Sequence, residues 1–541
     1  MLPEAAALLA TLWDGDSCHG FRACRKAWRI PAWPCPFEAR PSPDRRWSAN
    51  RPRSRFWFAS GQRNRIAPDY FEGDNWRSRN GDYGSIMIGG NLSKWAMSYF
   101  AAAIVWLLAA EILMVAGFGY PAVDVASPDT LVIVHMICVG WLSMAMCGAL
   151  FQFVPVLVAK PLFSERWELP TFALLTAGLI ALLAGFLALG GRLSAWLWLL
   201  PLGATLLIAG FGLMTIDLVL TVWRARPPMG PAHFVLIGLA SLCATALLGS
   251  VFAWSLAGYG GAAFGTILES GVPLHAISGL GGWLTLTAMG VSYRLLSMFM
   301  LSPDIEGHQS RITLLAGAVT ISFVVTGGLL AIAMETGLDV VLLATAVLSL
   351  ATLSLYGRDI AGLYRNRKRR QLELNTRMAA YGFVSLAAAA LLGIELVATG
   401  SFSAHVGAFT FLIAFGWLSG LVLAKLYKIV AFLTWLETYG PAMGRVPTPR
   451  VQDLVAERRA AKWFAGYFIS VWIATGGLLA GQPSAFRLAV LAMTVATAGI
   501  VRQLVRTRRL RDVVEPLRLP SGTSFPRLLY SRPEPCRKKQ S

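Results

Sequence analysis

Charged residues are scarce in this 541-residue sequence, where Asp, Glu, Lys and Arg together make up only 14%. Soluble globular domains average about 25%, so the scarcity excludes an ordinary soluble protein. Cysteine is scarce as well: the seven cysteines form no CxxC pair and no zinc-finger spacing, which excludes a cysteine-bound zinc site. Apolar runs of about 20 residues recur instead, and they are typical of a polytopic helical membrane protein.

Acidic residues are fewer than basic ones, 29 against 48, which gives a net charge of +19. Such a charge is typical of nucleic-acid-binding proteins, but here the Lys and Arg residues lie in loops and tails between apolar runs. This distribution follows the positive-inside rule, so we predict a lipid bilayer and no nucleic acid as partner. The basic loops follow even-numbered spans, which predicts a multi-pass protein of the bacterial inner (cytoplasmic) membrane with both termini in the cytoplasm.

The hydropathy pattern divides the chain into three regions. Residues 1–90 are rich in Arg, Pro and Trp without a sustained period, and we expect either a disordered arm or a segment upstream of a true start near Met87. Residues 91–505 form the predicted membrane domain, and residues 506–541 a basic cytoplasmic tail. The membrane domain contains twelve predicted spans, at residues 95–118, 130–158, 170–190, 194–223, 232–257, 271–301, 311–333, 338–357, 378–399, 404–436, 463–482 and 484–503.

A repeated motif marks spans 2, 6 and 10. Aligned on a Gly-Trp pair, the copies read WLSMAMCGALFQFVPVL from Trp141, WLTLTAMGVSYRLLSMF from Trp283 and WLSGLVLAKLYKIVAFL from Trp417. The copies lie four spans apart, so we predict three four-helix repeats at about residues 95–223, 232–357 and 378–503. The predicted fold is an all-α integral membrane protein, a twelve-helix bundle in which three arcs close around a common axis.

A histidine precedes each repeated tryptophan, at His135, His275 and His405. All three lie in the first turns of their spans, within about 10 Å of the outer helix ends at about 1.5 Å per residue. Ionisable residues inside a membrane usually face the bundle interior, and a neutral imidazole is a good ligand for haem iron or copper. The alternative is that each imidazole is a hydrogen-bonded packing residue. The separations from His to Trp are six, eight and twelve residues, so convergence of the three requires different helix rotations.

Other polar residues lie near the ends of the spans. Glu111 and Glu395 lie toward the outer ends of spans 1 and 9, where an acid is a proton relay, a partner for a histidine N–H or an interfacial residue. Arg487, on the outer side, is a candidate partner for haem propionates, with an ordinary interfacial arginine as the alternative. Four charged residues near the inner ends are expected to snorkel to the membrane surface: Asp217, Arg294, Lys425 and Lys428.

These features resemble subunit I of the haem–copper oxidases, which has twelve spans and histidines near the outer ends of spans 2, 6 and 10. The segments LHAISGLGGWLTLTAMGVSYRLLSMF and FGWLSGLVLAKLYKIVAFLTW are similar to bacterial proteins grouped with that subunit and, more distantly, to NnrS-type haem–copper membrane proteins. The resemblance covers about residues 95–503. It implies a cytochrome oxidase subunit I-like fold.

The resemblance also implies a set of ligands. His135 and His405 correspond to the pair that ligates a low-spin haem, which we expect to be haem b, and His275 corresponds to the span 6 ligand of copper or of a second haem. Two departures matter: span 7, ITLLAGAVTISFVVTGGLL, has no histidine, and span 10 has one where an oxidase needs two. The sequence therefore predicts a haem protein that is not a competent oxygen reductase.

The expected role is electron transfer, or a response to redox state or to a gas such as nitric oxide. A cytochrome c or a quinol is the expected electron donor. If the protein is an enzyme, it is an oxidoreductase. The alternative is a cofactor-free transporter or assembly factor on the same fold.

Overall fold

The computed structural model describes residues 93–194, 196–225, 230–305, 307–521 and 523–530. These residues form helices, turns and loops without a strand, which confirms the predicted all-α class. The predicted N-terminal extension, residues 1–90, and the last residues of the tail, 531–541, lie outside the described residues.

Twelve long helices follow one another through the described residues, which is compatible with the predicted twelve spans. Ten of them are long and apolar enough to cross a membrane. The other two, α6 and α11, are less apolar, because α6 is rich in Gly, Ser and Thr and α11 opens with ERRAAK. The helices are α1 Ala96–Ala116, α2 Pro128–Val158, α3 Glu168–Leu189, α4 Leu199–Trp223, α5 Gly230–Leu256, α6 261–300, α7 His308–Ala333, α8 Leu338–Arg365, α9 Leu374–Ala398, α10 Phe402–Ala442, α11 Glu457–Leu479 and α12 Pro483–Arg508.

The centre of the bundle is formed by α2, α6 and α10, the three helices that carry the repeated motif. Each contains a segment of π-helix, in which the N–H of a residue binds the carbonyl five residues back instead of four. These segments are Met136–Ser143, Ile277–Leu286 and Leu412–Ser419, and they contact one another. Each holds the repeated tryptophan. Because π-helix is rare, its recurrence at matching positions supports the internal repeat.

The three tryptophans form a ring of hydrogen bonds across this centre. Each indole N–H donates to a hydroxyl on the next central helix: Trp141 to Ser419 at 2.8 Å, Trp283 to Ser143 at 2.9 Å and Trp417 to Thr285 at 3.3 Å. Every acceptor lies two residues after a tryptophan, because the copies read Trp-Leu-Ser or Trp-Leu-Thr. We call these six buried residues the tryptophan ring. It holds the three central helices at one common depth.

The remaining helices form three arcs between the central ones. Helices α3, α4 and α5 connect α2 to α6, and each successive pair from α2 to α6 is in contact. Helices α7 to α9 lie between α6 and α10, and helices α11, α12 and α1 lie between α10 and α2. We call the group α2–α6 the first compartment, the group α6–α10 the second, and α10, α11, α12, α1 and α2 the third. The arcs position the repeat histidines in different compartments.

The two ends of the bundle differ in charge. The loops after α2, α4, α8 and α10 carry basic residues, and Arg294 and Arg311 flank the loop after α6. We call this end the basic end. The repeat histidines lie in the N-terminal halves of α2, α6 and α10, toward the opposite end, which we call the histidine end. Because α6 begins at residue 261, ten residues before the predicted span, His275 lies about four turns into its helix, and the prediction that it lies in the first turns is wrong. Part of the predicted tail folds back onto the basic end, where Tyr439 Oη donates to the Arg518 carbonyl at 2.8 Å and Arg508 Nε donates to the Arg527 carbonyl at 2.8 Å.

Asp512 anchors this part of the tail to two helices. It accepts hydrogen bonds from Arg506 on α12 at 2.6 Å and from Arg459 on α11 at 2.9 Å. Burial raises the pKa of the Asp512 carboxyl, but the two guanidinium groups lower it further, so that this pKa lies below its ordinary value. Asp512 is therefore charged whenever the tail is docked near neutral pH.

Candidate functional site

His135 lies in the second turn of α2, half-buried at the histidine end. Its Nδ1 is 2.8 Å from the carbonyl oxygen of Leu131, one turn back on the same helix. A carbonyl oxygen only accepts hydrogen bonds, so Nδ1 carries the proton and Nε2 keeps a free lone pair. The ring lies against Phe186 of α3, with ring centroids 4.9 Å apart. His135 therefore presents a ligand nitrogen on the side of α2 that faces α3.

His275 is held in the same way by a neighbouring helix. Its Nδ1 is 3.0 Å from the carbonyl oxygen of Thr245 on α5, so its Nε2 is also the unprotonated nitrogen. Gly249, one turn along α5, leaves room for the ring, because a Cβ there would lie 2.8 Å from His275 Cε1. The Phe252 ring packs at 5.4 Å between centroids. Metal-bound histidines commonly donate their other N–H to a backbone carbonyl in this manner.

The structure brings these two histidines to the same compartment. His135 packs against α3 and His275 against α5, and both of those helices belong to the first compartment. The two side chains point in different directions because their spacing to the repeated tryptophan differs. His135 lies six residues before its tryptophan and His275 lies eight before, and two residues correspond to about 200° around a helix. His135 therefore turns toward α3, the helix that follows α2, and His275 turns toward α5, the helix that precedes α6.

His405 has different surroundings. It is half-buried in the first turn of α10, and within the described ranges its imidazole has no hydrogen bond or ring contact. Two residues further, a Cβ on Gly407 would lie 2.4 Å from the ring of Tyr120. Further along α10, Phe411 stacks on Phe415 at 4.6 Å and meets Phe486 of α12 at 5.5 Å. Aromatic rings thus pack against α10 in the turns that follow His405.

The predicted pair of His135 and His405 has no direct contact among the described residues. His135 touches its own helix and α3, whereas the rings near His405 come from α10, α12 and the loop after α1. Their joint ligation of one haem stays a prediction.

Glu111 is fully buried on α1 in the third compartment. Its Oε1 accepts a hydrogen bond from Thr497 of α12 at 2.9 Å, while Oε2 has no hydrogen-bond partner. Glu395, in contrast, lies exposed on α9. Neither acid hydrogen-bonds to one of the three histidines within the described chain. A proton-relay role for either acid therefore stays a prediction, and only Glu111 lies in the interior that such a relay needs.

Arg487 binds the end of another helix. Its Nε donates to the carbonyl oxygen of Val115 at 2.9 Å, and its guanidinium lies beside Gly117 at the C-terminal end of α1. A cation is favourable there, because the unpaired carbonyls of a helix C-terminus carry partial negative charge. The side chain is exposed, and its predicted propionate contact is untested.

The donors present suit haem iron better than a bare metal ion. Among the residues that the structure describes, no three His, Cys, Asp or Glu side chains are grouped to hold a metal ion. A protein-bound copper or zinc ion commonly takes three or four ligands from side chains. Haem supplies four nitrogens of its own and needs only axial ligands from the protein. The carbonyl-held imidazoles of His135 and His275 meet that requirement.

Two residues that were expected to snorkel are buried instead. Asp217 is fully buried on α4 and accepts from the backbone N–H of Ser164 at 2.9 Å. Lys425 is 7% exposed, and its Nζ has no hydrogen-bond partner and lies 5.8 Å from the centroid of the Phe299 ring. The snorkelling prediction is therefore wrong for both, because each side chain points into the bundle and not along the membrane surface.

The repeat alignment contained a signal for Lys425. This residue is eight positions after Trp417, where the other two copies have Ala149 and Val291. Both of those residues are partly buried, so the alignment predicts that the third copy also packs against other helices. Lys428, one turn further along α10, forms an ion pair with Glu373 at 2.7 Å and is only partly buried.

The helices and their contacts define a polytopic membrane protein with the fold of an oxidase subunit I. The chain is similar to a chain in the cryo-EM structure of a heme-copper terminal oxidase dimer, with a TM-score of 0.50 and 12% sequence identity over 81% of this chain and 87% of that one. At this identity the similarity shows the fold alone. No protein-family model and no curated protein matches the sequence. The predicted fold is confirmed, and the more distant NnrS-type similarity stays a prediction.

Proposed function

We propose that this protein binds haem b. Its role is electron transfer or a response to redox state or nitric oxide, and it does not reduce oxygen. The observation that carries the proposal is the pair of imidazoles near the histidine end whose Nδ1 atoms are fixed by backbone carbonyls. Such fixation leaves Nε2 as the ligand atom and prevents the ring from turning away. The fold shared with a heme-copper terminal oxidase supports the proposal.

In this proposal the chain's own residues bind and orient the cofactor. His135 would hold the haem together with His275 or His405. Haem contributes reversible one-electron chemistry. A copper centre would need more ligands, and α7 supplies no histidine within the membrane, since His308 stands exposed at its start on the basic end. The electron donor is a cytochrome c or a quinol.

The orientation belongs to the same proposal. The protein spans a bacterial inner membrane, with the basic end facing the cytoplasm and the histidine end at the outer surface. The haem is then within reach of a donor on the outer side.

The test is the absorption spectrum of the full chain, produced with excess haem and purified in detergent. We expect a Soret band and a haem content near one per chain in a pyridine haemochrome assay. A colourless, folded protein would contradict the proposal.

A second candidate is a cofactor-free transporter or assembly factor on the same fold. One observation favours it: the rings of Tyr120, Phe411 and Phe486 pack closely around α10 in the turns that follow His405. A close-packed interior leaves no room for a macrocycle without rearrangement. The colourless result described above supports this candidate.

A further inference from the structure

We infer that His135 and His275, on two central helices of the first compartment, are the two protein ligands of one haem. The inference rests on the proposed haem binding and names its ligand pair. It differs from the pairing of His135 with His405 that the sequence resemblance implies, and it moves the haem from the third compartment to the first.

The first support is that both imidazole rings are anchored by hydrogen bonds to backbone carbonyls. Each donates its Nδ1 proton to a backbone carbonyl, Leu131 on α2 for one and Thr245 on α5 for the other. Backbone carbonyls do not move independently of their helices, so both rings are held in place before any ligand arrives. His405 has no such anchor among the described residues.

The second support is the direction in which the two histidine side chains point. The two-residue difference in spacing from the tryptophan turns His135 toward α3 and His275 toward α5, and these helices, with α4, form the far wall of the first compartment.

The third support is the shape of the wall beside His275. Gly249 is the residue of α5 against which the imidazole lies, and a Cβ at that position would be 2.8 Å from Cε1. Real Cβ contacts at such a distance are not tolerated, so any larger residue displaces the ring. The glycine keeps the ring in the position that its bond to Thr245 defines.

The experiment compares low-spin haem spectra, by absorption and electron paramagnetic resonance, in full-length variants purified with excess haem. His135→Gly and His275→Gly should each lose the low-spin signal, and added imidazole should restore it, because the free base occupies the vacated ligand position. His405→Gly should keep the wild-type spectrum. Rescue by imidazole separates loss of a ligand from loss of the fold.

A pair of glycine variants probes the position of the ring without removing a ligand. Gly249→Ala should shift the low-spin spectrum, because the new methyl group displaces the His275 ring. Gly212→Ala, on α4 with nothing within 4 Å of the added Cβ, should leave it unchanged.

The outcomes separate the two proposals. A low-spin signal that is lost in His405→Gly and kept in His275→Gly overturns this inference and leaves haem binding intact. A signal that survives His135→Gly overturns it as well. Wild-type protein that takes up no haem overturns the proposed function itself, and the ligand pair with it.

Discussion

At the scale of single residues, Lys425 and Lys428 show how one helical turn changes the environment of a charge. Lys428 lies closer to the basic end and forms an ion pair with Glu373 at 2.7 Å. Lys425 is 7% exposed and has no hydrogen-bond partner for its Nζ. A buried charge without a partner is among the most expensive groups in a membrane protein.

We therefore predict opposite effects for the same substitution at the two positions. Lys425→Met should raise the free energy of unfolding by about 2–3 kcal/mol, because it removes an unpaired buried charge and keeps the volume. Lys428→Met should lower it by about 1 kcal/mol, because it breaks an ion pair that is partly open to solvent. Thermal unfolding of the purified variants in one detergent measures both. Destabilisation by both substitutions would show that the Lys425 amine has a favourable interaction.

At the scale of elements, the three π-helical segments and the tryptophan ring belong together. A π segment inserts one extra residue into a helix and shifts the faces that follow it. In each central helix this shift occurs at the repeated tryptophan, where the indole reaches a hydroxyl on the next helix. Three rigid helices that exchange hydrogen bonds in a closed ring are unable to slide past one another independently.

The ring predicts a measurable coupling between Trp283 and Ser143. Ser143→Ala should cost about 1–3 kcal/mol of stability, because it leaves the buried indole N–H of Trp283 unpaired. Adding Ser143→Ala to Trp283→Phe should cost much less, because no N–H is then left to satisfy. Denaturation of the four proteins of the cycle gives the coupling free energy. Thr326→Val, which removes an exposed hydroxyl on α7, is the control and should stay within about 0.5 kcal/mol of wild type. Strictly additive effects would contradict the ring.

At the scale of the whole molecule, the difference in charge between the basic end and the histidine end predicts how the protein is oriented in its membrane. The loop between α8 and α9 contains the run Arg365 to Arg370, whereas the loop between α9 and α10 contains Gly400 and no basic residue. Positive charge is retained on the cytoplasmic side during insertion. The haem proposed near the histidine end would then exchange electrons at the outer surface.

Reporter fusions test this orientation. A phosphatase that is active only outside the cytoplasm should be active when fused at Gly400 and inactive when fused at Arg367. A fusion beyond residue 530, after the docked part of the tail, should also be inactive. Activity at Arg367 would reverse the orientation and place the histidines on the cytoplasmic side, where a cytochrome c on the outer surface has no access.

Local patterns in the sequence were sufficient to predict that the elements are membrane-spanning helices and to predict their order. A helix must contain about 20 apolar residues to cross a bilayer, and its basic flanks follow from membrane insertion, so spans and their order are legible in one sequence. The repeat could also be predicted from the sequence, because the motif around Trp141, Trp283 and Trp417 recurs along the chain. The subunit I-like fold was implied by the resemblance of these features to subunit I of the haem–copper oxidases.

The tertiary structure decided which side chains meet. Glu111 receives its hydrogen bond from Thr497, 386 positions away in the chain, and Trp141 donates to Ser419, 278 positions away. The burial of Lys425 and the common compartment of His135 and His275 likewise depend on how each helix is rotated against its neighbours. Rotation is set by the packing of all helices at once and not by local hydropathy. The sequence by itself thus determined that three histidines precede the repeated tryptophans on three central helices, and only the packed structure determined which neighbouring helix each of them packs against.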